Sequence, residues 1–272
     1  MTSPTSPLAI LVFDIDGVLR DVGGSYRRAL ADTVEKFTHQ GYRPTVEDID
    51  QLKGEGRWNN DWEGSQELVY RYFERQGGRR DQVNLDYDQL VAFFQSRYRG
   101  PHPTDPEQWT GYISQEPLLV DSAYFERLTA DHLAWGFFSG ATRGSARFVL
   151  ERRLGLGNPV LVAMEDAPGK PDPTGLLAVI DMLSQRGPLP PDTPVVYAGD
   201  TVADMQTILQ AQAQQPQRSW TGIGVLPPHV VAKGEAYSQA YGHTLMQAGA
   251  TTVVNQVTAI TRSQISQILG MA

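Results

Sequence analysis

Leu8-Ala9-Ile10-Leu11-Val12-Phe13-Asp14-Ile15-Asp16-Gly17-Val18-Leu19 is the stretch from which the fold becomes readable. Leu8 to Phe13 is short, apolar and uninterrupted. That pattern suits a strand buried on both faces of a parallel sheet. It runs straight into Asp14. Two acids one residue apart at a strand end can both face a ligand once the chain leaves the extended form, and Gly17 permits that sharp exit. One carboxylate can then attack phosphorus, while the other protonates a leaving oxygen and later deprotonates water. Acids after strands also cap turns, so the motif by itself leaves a purely structural reading open.

The pattern recurs along the chain. Leu133 to Phe138 stops at Ser139, Val160 to Met164 at Glu165, and Pro194 to Ala198 at Gly199 and Asp200. Weaker runs follow at Thr221 to Val225 and Thr251 to Val254. Helical spacing separates them, in Ala146, Val149, Leu150 and Leu154, in Leu176, Leu177, Ile180 and Leu183, and in Met205, Ile208 and Leu209. Ile260, Ile265, Ile268 and Leu269 close the chain. Strand alternating with helix predicts βαβ units and a Rossmann-like parallel sheet, an α/β core. Ligands of such sheets sit at the carboxyl ends of the strands, where Asp14, Ser139 and Asp200 fall.

From about Gly23 to Ser114 the alternation stops and helix follows helix. Ser25, Thr45, Ser65 and Asp86 or Asp88 are the expected openings, and Gly41, Gly54, Gly77 and Gly100 the expected stops. We therefore expect an inserted all-helical domain over 23–114 and a core made of 1–22 and 115–272.

Three more motifs carry chemistry. Ser139-Gly140-Ala141-Thr142-Arg143 offers a hydroxyl and free backbone N–H groups to an anion, although Ser139 or Thr142 also reads as a plain helix cap. In Gly169-Lys170-Pro171-Asp172-Pro173 the following proline predicts an extended backbone at Lys170, whose ammonium can neutralise a carboxylate and a phosphate oxygen. The bland alternative is a solvated loop lysine. In Gly199-Asp200-Thr201-Val202-Ala203-Asp204 two acids lie one helical turn apart. Asp14 and Asp200 can share a magnesium ion if their strands are neighbours, since magnesium takes carboxylate oxygens. Alternatively Asp200 only caps the next helix.

In that order these motifs resemble the haloacid dehalogenase-like hydrolases, over about 170 core residues, and the helical insert is similar to the C1 cap of subfamily I. The resemblance implies that Asp14 is the nucleophile and Asp16 the acid/base, with the Asp16 carbonyl on magnesium. It implies that Ser139, Gly140 and Lys170 hold the phosphoryl group. Asp200 becomes a magnesium ligand, and Asp204 supports it directly or through water. Dehalogenases of the superfamily lack the second acid, so Asp16 points away from dehalogenation. Phosphonatases use a cap lysine, for which Lys53 is the clearest candidate here. β-Phosphoglucomutases carry a histidine where this chain has Tyr26. Phosphomonoester hydrolysis remains, with a phosphoryl-transfer mutase and a non-catalytic binding protein as alternatives.

Bulk properties agree. The 272 residues carry a net charge of −8, no cysteine and a mean hydropathy of −0.34. The acidic balance disfavours nucleic acid and anionic membranes, and the resemblance implies a small phosphorylated molecule as the partner. No apolar run approaches the ~20 residues a membrane span needs. Met1 to Pro7 reads as a loose tail rather than a signal peptide, so a cytoplasmic location is expected. The loop Gly54-Glu55-Gly56-Arg57-Trp58-Asn59-Asn60-Asp61-Trp62 is rich in aromatic and polar groups, and we expect Arg57 and Asn60 to read the substrate. Its competing reading is a helix connector.

Overall fold

The computed structural model describes residues 7–55, 58 and 60–271. These divide into two compact units, one formed by the chain up to Asp21 together with Pro117 onward, the other by Val22–Glu116.

The first unit is built on a six-stranded sheet. Its strands are β1 (Ala9–Phe13), β2 (Leu133–Phe138), β3 (Leu161–Val162), β4 (Val195–Gly199), β5 (Trp220–Val225) and β6 (Thr252–Val254). All pairings are parallel, in the order β3-β2-β1-β4-β5-β6. Every residue of β1 is buried, as its unbroken apolar run requires. β1 is central, between β2 and β4. Phe13 is level with Phe137 on one side and with Ala198 on the other. The next residues along these three strands are Asp14, Phe138 then Ser139, and Gly199 then Asp200. Topology thus delivers the three polar groups to one end of the sheet.

Helices of the first unit cover the sheet. Within the second unit α1 (Tyr26–Phe37), α2 (Val46–Gly54), α3 (Asp61–Arg75) and α4 (Tyr87–Tyr98) follow one another. The first unit carries α5 (Ser122–Ala130), α6 (Arg143–Arg147), α7 (Thr174–Ser184), α8 (Val202–Gln214), α9 (Pro228–Val231), α10 (Glu235–Gln247) and α11 (Arg262–Ile268). Ile10, Val12, Val179, Ile180, Tyr197 and Ile208 share one core between sheet and helices. Phe13 packs edge-on against Tyr124 and Phe125 of α5, at 6.2 and 6.0 Å between ring centres. None of the helices in the described residues is long and apolar enough to cross a membrane.

Several local expectations are corrected. Ser25 stands at the start of α1 but does not cap it; its hydroxyl donates to the Glu116 carboxylate instead. Ser65 lies inside α3, bonding back to the Asp61 carbonyl at 2.7 Å, and Asn60 is the cap. The helix expected after Ser139 is a short α6 that passes into a wider π turn over Phe148–Arg153. The strand expected from Val160 to Met164 pairs only over Leu161–Val162, and Met164 is exposed. The Lys170–Pro171 bond is cis.

Candidate active site

The motif residues meet at the carboxyl end of the sheet. Asp14 leaves β1 with its backbone N–H still bonded to the Ala198 carbonyl of β4, at 2.9 Å. Its carboxylate is buried. Lys170 reaches it from the loop before α7, with Nζ 2.8 Å from Asp14 Oδ1 and 2.6 Å from Asp204 Oδ1. The ammonium also faces the rings of Phe138 and Tyr197, at 5.2 and 5.6 Å. Lys170 is therefore a buried bridge between two carboxylates, and the solvated-loop reading is excluded.

Asp204 is held on every side. Tyr197 donates its hydroxyl to Oδ1 at 2.8 Å, and the Thr201 N–H and hydroxyl donate to Oδ2 at 2.9 and 2.6 Å. Thr201 Oγ1 in turn accepts from the Asp204 N–H, which completes a capping box at the start of α8. Thr201, not Asp200, thus caps this helix, and Asp200 is free for other work. With both its oxygens engaged, Asp204 supports the cluster from behind. Tyr197, Thr201 and Tyr241 were not singled out from the sequence. Tyr241, on α10, donates its hydroxyl to the Asp200 carbonyl at 2.9 Å.

Asp200 differs from Asp204 in its surroundings. It is 9% exposed, and its carboxylate makes no hydrogen bond or ion pair among the described residues. Oxygens of Asp14, Asp200 and Asp204 lie within 4.8 Å of one another. Gly17 has φ +76°, and a Cβ there would lie 2.1 Å from Asp200 Oδ2. Glycine is needed at this turn both for its left-handed backbone and for the room it leaves to Asp200.

The electrostatics follow from burial and crowding. Burial, opposed by Lys170 and reinforced by the neighbouring acids, pushes the Asp14 carboxyl up to about 7. Burial and the charge of Asp14 push Asp200 well above the usual carboxylate range. Burial acts upward on Asp204 too, but Lys170 and the Thr201 and Tyr197 hydrogen bonds hold it below that range. Burial acts downward on Lys170, yet Asp14 and Asp204 keep its ammonium more firmly protonated than an ordinary lysine. One ammonium therefore bridges two of three buried carboxylates, and the third, Asp200, is left without an ion pair among the described residues. Hard oxygen donors, one of them unpartnered, are the set that suits a small divalent cation.

The remaining sequence candidates are placed as follows. Ser139 is buried at the end of β2, and its Oγ accepts from the Ala141 N–H at 3.1 Å. Gly140 is exposed, with open space where a Cβ would stand. Asp16 Oδ1 pairs with the Arg20 guanidinium at 2.6 Å. Arg57 lies outside the described residues, as does the side chain of Lys53. Asn60 belongs to the second unit, where its carboxamide oxygen accepts from Trp62 N–H at 2.9 Å as the cap of α3. That oxygen is thereby committed to the helix. Tyr26 stacks on Tyr98 at 4.4 Å between ring centres.

Comparison with known proteins gives three kinds of match. The profile of a family described as haloacid dehalogenase-like hydrolase matches residues 8–212. A curated protein from Phytophthora nicotianae, imidazoleglycerol-phosphate dehydratase, is 30% identical over 253 residues, 92% of this chain. The chain spans about half the length of that relative, 50%. Among solved structures, a phosphatase from Thermococcus thioreducens superposes with a TM-score of 0.64 at 22% identity, over 85% of this chain and 98% of that one. A phosphonoacetaldehyde hydrolase-like protein from Oleispira antarctica gives 0.65 at 17%, over 98% and 96%. A β-phosphoglucomutase from Clostridium difficile gives 0.55 at 13%, over 97% of each. At these identities the structural likeness establishes the fold.

Proposed function

The chain belongs to the haloacid dehalogenase-like hydrolase family, and on that premise we propose that it hydrolyses a small phosphate monoester through a phosphoryl group carried on Asp14. The observation that carries this reading is the buried Asp14 carboxylate, gripped on Oδ1 by Lys170 and flanked by the unpartnered Asp200. Asp14 attacks phosphorus, and the bond to the leaving oxygen breaks as Asp16 gives that oxygen a proton. Water then attacks phosphorus and loses its proton to Asp16, and the bond to Asp14 breaks to release phosphate. Lys170 keeps the nucleophile oriented and offsets the charge of the incoming phosphate. Ser139 and the backbone at Gly140 bind phosphoryl oxygens. Asp14 and Asp200, with the Asp16 carbonyl, would hold a magnesium ion. When bound, that ion would relieve the repulsion between carboxylates and phosphate.

The Phytophthora relative suggests where to look for the substrate. Its name gives a dehydratase of imidazoleglycerol phosphate, itself a phosphate monoester. Because this chain spans half of that protein, we carry over no dehydration, only the class of molecule. Phosphate monoesters bearing an imidazole ring head the screen. The test is release of inorganic phosphate from such a panel, with and without magnesium, against an Asp14→Asn control. Phosphate released by the wild type and not by the control supports the reading. Equal release by both, or label moved between positions of one sugar phosphate with no free phosphate, contradicts it.

A further inference from the structure

Arg20 lies beside the site, and the chemistry above makes no use of it. Its guanidinium is fully buried, whereas the Asp16 carboxylate it meets is 27% exposed. Nε and Nη2 both approach the same oxygen, Oδ1, at 2.6 Å. The usual guanidinium–carboxylate fork gives each nitrogen its own oxygen. Here Oδ2 makes no hydrogen bond or ion pair among the described residues.

The backbone makes this grip rigid. Gly17 N–H donates to the Arg20 carbonyl at 2.9 Å, and Arg20 N–H to the Ile15 carbonyl at 3.3 Å. Arg20 also forms an antiparallel bridge with Leu118, on the returning chain. Desolvating a guanidinium is costly, and an apolar side chain would fill the same space as well or better. An unrestrained aspartate would spread over several rotamers, few of them aimed at a substrate.

We propose that Arg20 is a positioning residue: by holding Oδ1 it fixes the Asp16 side chain so that Oδ2 is the oxygen that exchanges protons with the substrate. Oδ2–H gives its proton to the leaving oxygen as the phosphorus–oxygen bond breaks. Oδ2 then takes a proton from water as that water bonds to phosphorus. This rests on the reading of Asp14 and Asp16 given above.

The test compares kcat/KM, which reports the steps up to departure of the leaving group, for para-nitrophenyl phosphate, whose leaving group needs no acid, with that for the best alkyl phosphate of the screen. Arg20→Met should lower kcat/KM on the alkyl ester by about tenfold to a hundredfold and barely alter that on the aryl ester, while kcat falls on both wherever the shared water step limits turnover. Arg20→Lys, which keeps the charge and most of the stem, should recover part of the loss. In an Asp16→Asn background Arg20→Met should cost nothing further. If Arg20→Met does not fold, Arg20→Lys carries the comparison, with a smaller loss confined to the alkyl ester. Equal losses of kcat/KM on both esters, or an added loss in the Asp16→Asn background, overturn the positioning role while Asp14→Asn stays silent. An Asp14→Asn variant as active as the wild type overturns the underlying reading as well.

Discussion

At Asp200 a carboxylate is buried without a donor, next to two others. In the metal-free protein that arrangement costs stability. An acid whose folded pKa is raised contributes stability below its unfolded value, near 3.8, and loses it as pH rises toward the folded value. For Asp14 that window runs from about 4 to about 7. Asp200→Asn should therefore raise the metal-free melting temperature at pH 8 by a few degrees while removing magnesium-dependent turnover. Thermal unfolding with chelator, set beside a phosphate assay, checks both at once. A lower melting temperature would mean that Asp200 has a donor in solution. Lys170 behaves oppositely. Lys170→Met leaves Asp14 and Asp204 facing each other without their shared cation and should cost about 3–5 kcal/mol in urea unfolding.

Among the elements, β1 to β4 are legible as apolar runs too short for a helix and bounded by polar turns, and β5 and β6, broken by threonine and glycine, more weakly. β3 is shorter than its apolar run, since Ala163 and Met164 are apolar but leave the ladder. α5 and α10 went unread, for different reasons. α5 spans one short stretch, Ser122–Ala130, and α10 buries only Gly242 and Leu245, too few apolar positions for a period to stand out. The motif residues Asp14, Lys170, Asp200 and Asp204 were legible because strand ends gather them. Tyr197, Thr201, Tyr241 and Arg20 were not, since their roles depend on which oxygen of which acid they reach. Ser65 and Asn60 show the same limit, as pattern marks a helix start without telling one from the other. Asn60→Ala should destabilise the second unit by about 1 kcal/mol through loss of the α3 cap. Chemical denaturation would check it, and an unchanged midpoint would contradict the cap.

For the whole molecule, the acidic balance and the buried acid cluster act together. A net charge of −8 repels an anionic substrate, so attraction must be local. A cation bound only by the folded chain stabilises it by about 2.7 kcal/mol at a hundred times its Kd. Magnesium should thus raise the melting temperature of the wild type and leave that of an Asp14→Asn, Asp200→Asn double variant unmoved. Calorimetry with and without chelator measures both, and an equal rise in the two proteins would assign the ion to another place.

Asp14 is the residue proposed to carry the phosphoryl group. Rapid acid quench during turnover of a substrate from the screen, followed by mass spectrometry of the digested protein, tests it most directly. A phosphoryl adduct is expected on the peptide bearing Asp14, absent in Asp14→Asn, whose turnover falls by about a thousandfold or more. Steady turnover without that adduct, or an adduct on another residue, would contradict it.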